Sequence, residues 1–345
     1  MSLLHDEIAE QPASLLRLLD AEVEATLRVA ATLRRRQIAY VLIAARGTSD
    51  NAARYAQYLF GALLGLPVAL ATPSLHSLYG VKLRFEGALV IGISQSGASP
   101  DICAVVQDAR AAGAPTVAIT NVPDSLLGRS AEVVIPLHAG AERSIAATKT
   151  YTAQLGALAL LGFALADDAA GMALLRTIPD AIAAALATEP RAAEIAAAIV
   201  GAESMVTIGR GYSYASAWET ALKLKELTYV PTEPYSAADF QHGPIALVRP
   251  GFPAIVLAAS GPTSPGLAAL SRRIAELGGV VAAIGDAPEV LDAAALPLAL
   301  PAGVDERLTP LVQIIPGQLL AFHLARARGH DPDAPRGLRK VTETR

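Results

Sequence analysis

Leu89-Val90-Ile91-Gly92-Ile93-Ser94-Gln95-Ser96-Gly97-Ala98-Ser99-Pro100-Asp101 is the stretch on which the reading of this chain turns. An apolar run of strand length stops at small hydroxylated residues and a glycine. A helical pattern then starts near Pro100, an accepted first-turn residue, with Ser99 in the position of a natural N-cap. A strand, a hydroxyl-rich turn and a helix N-terminus together make an anion site, because backbone N–H groups and the positive end of the helix dipole converge there. Ser94, Ser96 and Ser99 add hydroxyl donors and Gln95 an amide. No Lys follows in the G-x-x-x-x-G-K-[ST] arrangement, so a nucleotide P-loop is excluded and a single phosphate ester on a small molecule fits better. Taken alone, the segment is equally an ordinary serine-rich turn between strand and helix.

Working outward, Ala39–Ala45, Leu66–Ala71, Ala88–Ile93, Thr116–Ile119 and Val133–Ile135 read as short apolar strands separated by helical patterns. That alternation predicts a parallel sheet covered on both faces, an α/β fold. The halves of the chain also repeat. Arg46-Gly47-Thr48-Ser49 recurs as Arg210-Gly211-Tyr212-Ser213, 164 residues on. Gly113–Ile119 recurs as Gly278–Ile284 at 165, and Val90–Ser94 as Val256–Ser260 at 166. Matches in one order at nearly constant offset indicate two copies of one doubly wound, flavodoxin-like domain. The reading divides the chain into a helical arm (1–36), a first domain (37–166), a helical linker (167–196), a second domain (197–330) and a tail (331–345). At its switch-point turn the second copy has Ser260-Gly261-Pro262, without the Gln and the second Ser. Ligands in open α/β sheets sit at the carboxyl ends of strands near that point, so the phosphate site is expected in copy one.

Composition narrows the function. The chain has 345 residues, 52% hydrophobic and 17% charged, which fits two globular domains. A net charge of −4 without a basic stripe argues against nucleic acid as a partner. No uninterrupted apolar run reaches the roughly 18 residues a membrane span needs, and Leu155–Ala166 reads as a buried helix. The N-terminus lacks signal-peptide character, and one cysteine, Cys103, cannot form an internal disulfide, so a cytoplasmic location is expected. The six histidines have no metal-ligand spacing, and neither metal nor cofactor is expected.

The chemistry-bearing residues lie in copy two. In Trp218–Leu227, Glu219, Lys223 and Glu226 fall at i, i+4 and i+7 on one helix face. That pattern alone reads first as a solvated surface face with a helical ion pair. The following Asp239-Phe240-Gln241-His242-Gly243-Pro244 holds a His in a loop, a poor place for core filling. Glu and His can move protons at a sugar carbon and its oxygens, and a Lys can stabilise the oxyanion that develops. Ser144–Thr150 reads either as a ligand-contacting loop or as the cap of the next helix. The tail Pro335-Arg336-Gly337-Leu338-Arg339-Lys340-Val341-Thr342 is either disordered or folded over the pocket to deliver Lys340.

Ser94-Gln95-Ser96-Gly97, Ala147-Thr148-Lys149, Glu219 through Glu226, Gln241-His242-Gly243-Pro244, Pro335–Lys340 and the N-terminal Glu7–Pro12 together resemble the sugar-isomerase (SIS) family, in particular the isomerase half of glucosamine-6-phosphate synthase. The resemblance spans nearly the whole chain. It implies two SIS domains, a hexose 6-phosphate ligand and a homodimer with its active site near the subunit boundary. By position it implies that Ser49, Ser94, Gln95, Ser96 and Ser99 hold the phosphate and nearby hydroxyls, with Ala146 and Glu219 also on the sugar. Glu226 would move the proton between C1 and C2, with Lys223 beside it. His242 would open the ring, and Lys340 would be the tail lysine that forms an imine with the ketose. The chain starts directly at the SIS arm and lacks the synthase's N-terminal cysteine nucleophile. The expectation is therefore a stand-alone glucosamine-6-phosphate deaminase, with a fructosamine-6-phosphate deglycase or another phosphosugar isomerase as the alternative. A non-catalytic sugar-phosphate sensor is the rival from another class.

Overall fold

The computed structural model describes residues 2–340. In chain order these form α1 (Leu3–Ala9), α2 (Gln11–Leu33), β1 (Tyr40–Ala44), α3 (Gly47–Leu64), β2 (Val68–Leu70), α4 (Pro73–Ser77), β3 (Ala88–Ile93), α5 (Pro100–Ala111) and β4 (Thr116–Thr120). Next come α6 (Leu126–Ser130), β5 (Val133–Pro136), α7 (Lys149–Ala166), α8 (Ala169–Leu175), α9 (Ile178–Leu186), α10 (Glu189–Ala198), β6 (Met205–Gly209) and α11 (Ser213–Thr228). The remainder is β7 (Thr232–Ser236), α12 (Ala237–Gln241), β8 (Pro253–Ala258), α13 (Ser264–Glu276), β9 (Val280–Gly285), α14 (Pro288–Leu291), β10 (Leu296–Ala299) and α15 (Thr309–Ala327).

Two compact units result. One comprises Ala13–Glu142, Lys149–Thr177 and the chain from Arg339; the other comprises the chain up to Pro12, Arg143–Thr148 and Ile178–Leu338. Each holds one five-stranded parallel sheet, ordered β2-β1-β3-β4-β5 in the first and β7-β6-β8-β9-β10 in the second. Numbered within its own copy, each sheet runs 2-1-3-4-5, the doubly wound order with its switch point between the first and third strands. The duplication read from the sequence is therefore present in the topology.

The central strands are apolar throughout because helices cover both faces. All six residues of β3 and all six of β8 are buried. Ile102, Val105, Val106 and Ala109 of α5 pack with Val90 and Ala118 on the first sheet, and Leu267, Leu270 and Ile274 of α13 with Val256 and Val281 on the second. The expected buried helix is the later part of α7, whose residues from Lys149 to Leu165 are all buried. The one helical window among the described residues long and apolar enough to be a candidate membrane span, Ala169–Leu186, is interrupted between α8 and α9, helices of seven and nine residues. Neither is long enough to cross a hydrocarbon core.

Candidate functional site

The serine turn leaves β3 at the switch point of the first sheet. Ser94 is buried, and its Oγ accepts the Gly97 N–H at 3.1 Å, while Ser96 Oγ accepts the Ala98 N–H at 3.3 Å. Two backbone donors expected to face an anion are thus engaged inside the turn. A hydroxyl that accepts through its lone pair keeps its own O–H to donate, so the serines themselves become the donors. Ser99 occupies the N-cap position of α5 with extended backbone, yet its side chain makes no capping bond. Asp101 takes over: its Oδ1 accepts the Ile102 N–H at 2.9 Å. The Gln95 carbonyl accepts from the Asn121 N–H at 3.1 Å and from Thr120 Oγ1 at 3.3 Å, tying the turn to the end of β4. Ser49, in the first turn of α3, is buried and accepts from Gln154 Nε2 at 3.0 Å.

Gly97 makes this turn possible. Its φ is +62°, and a Cβ there would lie 1.9 Å from Ser125 Oγ and 3.0 Å from Thr120 Oγ1. Gly97→Ala is therefore expected to force the turn open and weaken binding of a phosphate ester at least tenfold, adding a left-handed backbone cost of about 1–2 kcal/mol. Titration with inorganic phosphate, beside a thermal melt, checks this. Beneath the turn Cys103 is buried, 3.8 Å from the Gly97 carbonyl, and burial pushes its thiol up to about 11. It serves there as a small packing residue.

In the second unit, α11 brings Glu219, Lys223 and Glu226 together. Lys223 Nζ lies 2.5 Å from Glu226 Oε2 and 3.4 Å from Glu219 Oε1. The side chains of Glu219 and Lys223 are 0% and 1% exposed, against 21% for Glu226. This is not a solvated helix face. The ammonium lies between two carboxylates in a buried setting, and Glu226 is the member a solute can reach. His242 caps the C-terminal end of α12, its N–H donating to the Asp239 carbonyl at 3.0 Å; it is exposed, and its imidazole forms no hydrogen bond or ion pair among the described residues. It is therefore not joined to the α11 triad within the chain.

The remaining predicted residues are placed by contacts that spacing did not reveal. Ala146 is buried in the loop 143–148, its carbonyl accepting from Ser144 Oγ at 2.8 Å. The buried carboxylate of Glu7 in α1 holds that loop by accepting the N–H groups of Arg143 and Ser144. The quoted Glu7–Pro12 motif was the available signal for it. Lys340 Nζ donates to Glu142 Oε2 at 2.6 Å, and the same carboxylate, fully buried, accepts from the Thr150 N–H and Oγ1 at the start of α7. The tail is thus ordered to Lys340; Val341–Arg345 lie outside the described residues. Among the described residues no group of three or more His, Cys, Asp or Glu side chains could hold a metal ion.

The equivalent corner of copy two is differently furnished. Gly261 has φ +154°, and a Cβ there would lie 2.7–3.2 Å from the Glu306 carboxylate atoms. Asp286 Oδ1 accepts the Ser260 N–H at 2.8 Å. Burial and the neighbouring Asp305 and Asp286 raise the pKa of Glu306 above the usual carboxylate range.

The SIS domain profile matches residues 36–164 and 198–327, one match on each sheet. The chain belongs to the SIS family. It is 37% identical over 88% of its length to glutamine–fructose-6-phosphate aminotransferase (isomerizing) of Zymomonas mobilis, covering 52% of that protein. The SIS chain spans about half the length of the curated relatives it matches. A solved structure of a candidate phosphosugar isomerase from Silicibacter pomeroyi superposes with a TM-score of 0.88 at 38% identity, covering 96% of this chain and all of the other. The C-terminal domain of glucosamine-fructose-6-phosphate aminotransferase from Francisella tularensis superposes with a TM-score of 0.87 at 27% identity, covering 97% and 98%.

Proposed function

We propose that this SIS chain is an isomerising deaminase of glucosamine 6-phosphate, releasing fructose 6-phosphate and ammonia. The observation that carries the reading is the α11 triad, a reachable carboxylate held against a buried ammonium. In the proposal Ser94 and Ser96 donate to the phosphate, with Ser49, Gln95 and Ser99 nearby and Ala146 on the sugar, while the fully buried Glu219 supports the sugar site through Lys223. His242 of the partner subunit in a homodimer opens the ring. Glu226 removes the proton from C2 and returns it to C1, while Lys223 offsets the negative charge that develops on oxygen. The C2 imine then adds water and loses ammonia. The name of the aminotransferase relatives joins fructose 6-phosphate, amine transfer and isomerisation. This chain's own cysteine is buried with its thiol pushed up, so it offers no thiolate to release ammonia from glutamine, and water is the available co-reactant. A reducing, cytoplasmic setting suits that single thiol.

The test is to supply glucosamine 6-phosphate and follow ammonia and fructose 6-phosphate together, which should appear in equal amounts. Release of an amino acid from a fructosamine 6-phosphate, with no activity on glucosamine 6-phosphate, would replace the reading by a deglycase. Sugar-phosphate binding without turnover would replace it by a sensor.

A further inference from the structure

The residue abreast of the serine turn is an arginine to which the site described above gives no role. Strands β1 and β3 pair in parallel with Ala44 opposite Gly92, so Arg46 and Ser94 each stand two residues beyond that pair. Adjacent strands are about 4.8 Å apart, which puts Arg46 beside the start of the turn, at the switch point of the sheet. Arg46 has extended backbone (φ −142°, ψ 153°) and makes no capping bond with its side chain. Its Nε instead donates to Asp101 Oδ2 at 3.0 Å. The Asp101 side chain is 2% exposed and anchored through its other oxygen to the Ile102 N–H. Arg46 remains 48% exposed, and no other hydrogen bond or ion pair engages its guanidinium among the described residues. A second carboxylate, Asp50, feels the Arg46 charge but is hydrogen-bonded to Arg54, not to Arg46.

We propose that Arg46 is a further ligand of the phosphate group, its guanidinium oriented by Asp101 through Nε so that the two Nη ends serve the dianion at the serine turn. A guanidinium fork matches phosphate oxygens two at a time, and fixing Nε beforehand reduces the freedom lost on binding. A carboxylate this close to an anion site would oppose the ligand if left bare, and the ion pair removes that opposition. The inference builds on the phosphosugar reading.

The experiment measures inorganic phosphate binding by calorimetry, and KM and kcat for glucosamine 6-phosphate, in the full chain and its variants. Arg46→Ala should weaken phosphate binding and raise KM by about tenfold to a hundredfold, the size of a lost charged hydrogen bond, with kcat largely kept. Arg46→Lys should restore part of the loss, and Asp101→Asn should show a smaller loss in the same direction. If Arg46→Ala does not fold by circular dichroism, Arg46→Gln takes its place with the same expectation. Unchanged phosphate affinity in the Arg46 variant overturns the proposal. So does wild-type affinity in the Arg46→Ala/Asp101→Asn double variant, which would reduce Arg46 to neutralising Asp101. Wild-type phosphate binding that depends on Arg46, without sugar turnover, upholds this inference while rejecting the deaminase.

Discussion

Glu226→Gln is expected to lower kcat by two to four orders of magnitude, the range that a positioned general base contributes. The amide has nearly the shape of the carboxylate and can still accept from Lys223, so the helix should survive. Lys223 also retains Glu219 as a charged partner at 3.4 Å, and its own charge stays compensated. What the amide cannot do is take up a proton. The measurement is exchange of solvent deuterium into C1 of fructose 6-phosphate, run beside product formation. Loss of both with an unchanged melting temperature supports proton transfer at Glu226. Full activity in the variant would reject the mechanism.

Removing the cation should cost fold as well as activity. Lys223 is 1% exposed, and Lys223→Met would leave the fully buried Glu219 next to Glu226 without the ammonium between them. Breaking a buried pair by deleting one partner destabilises by about 3–5 kcal/mol, because the surviving carboxylate loses its opposite charge and gains no water in return. A large fall in denaturation midpoint is therefore expected, together with loss of turnover. Glu219→Gln in the Lys223→Met background should recover part of the stability and none of the activity. Stability unchanged in the single variant would contradict the burial of this pair.

The fold was largely legible because its signals are local. Short apolar strands such as Ala88–Ile93 are bounded by turn residues, and the repeat at an offset near 165 announced two equivalent sheets. The i, i+4, i+7 spacing correctly put Glu219, Lys223 and Glu226 on one face, although burial was needed to separate a buried triad from a wet one. Contacts that join distant sequence were invisible. Nothing local ties Glu142 to Lys340, 198 residues later, or Glu7 to Arg143. The turn misled in a smaller way: helix-start rules assign the cap to Ser99, but Asp101 satisfies the first-turn donor instead. Side chains that compete for one donor lie within a few residues of each other, and spacing does not say which wins.

The carboxylate crowding in the second copy has a consequence for how the duplication is used. Where the first sheet carries serine hydroxyls at its switch point, the second sets Glu306 against Gly261 with two more acids nearby. Like charge repels a dianion from that corner, so under the proposed function a fold built twice would offer one ester berth per polypeptide. Saturation should follow a single class of equivalent, independent berths rather than a biphasic curve.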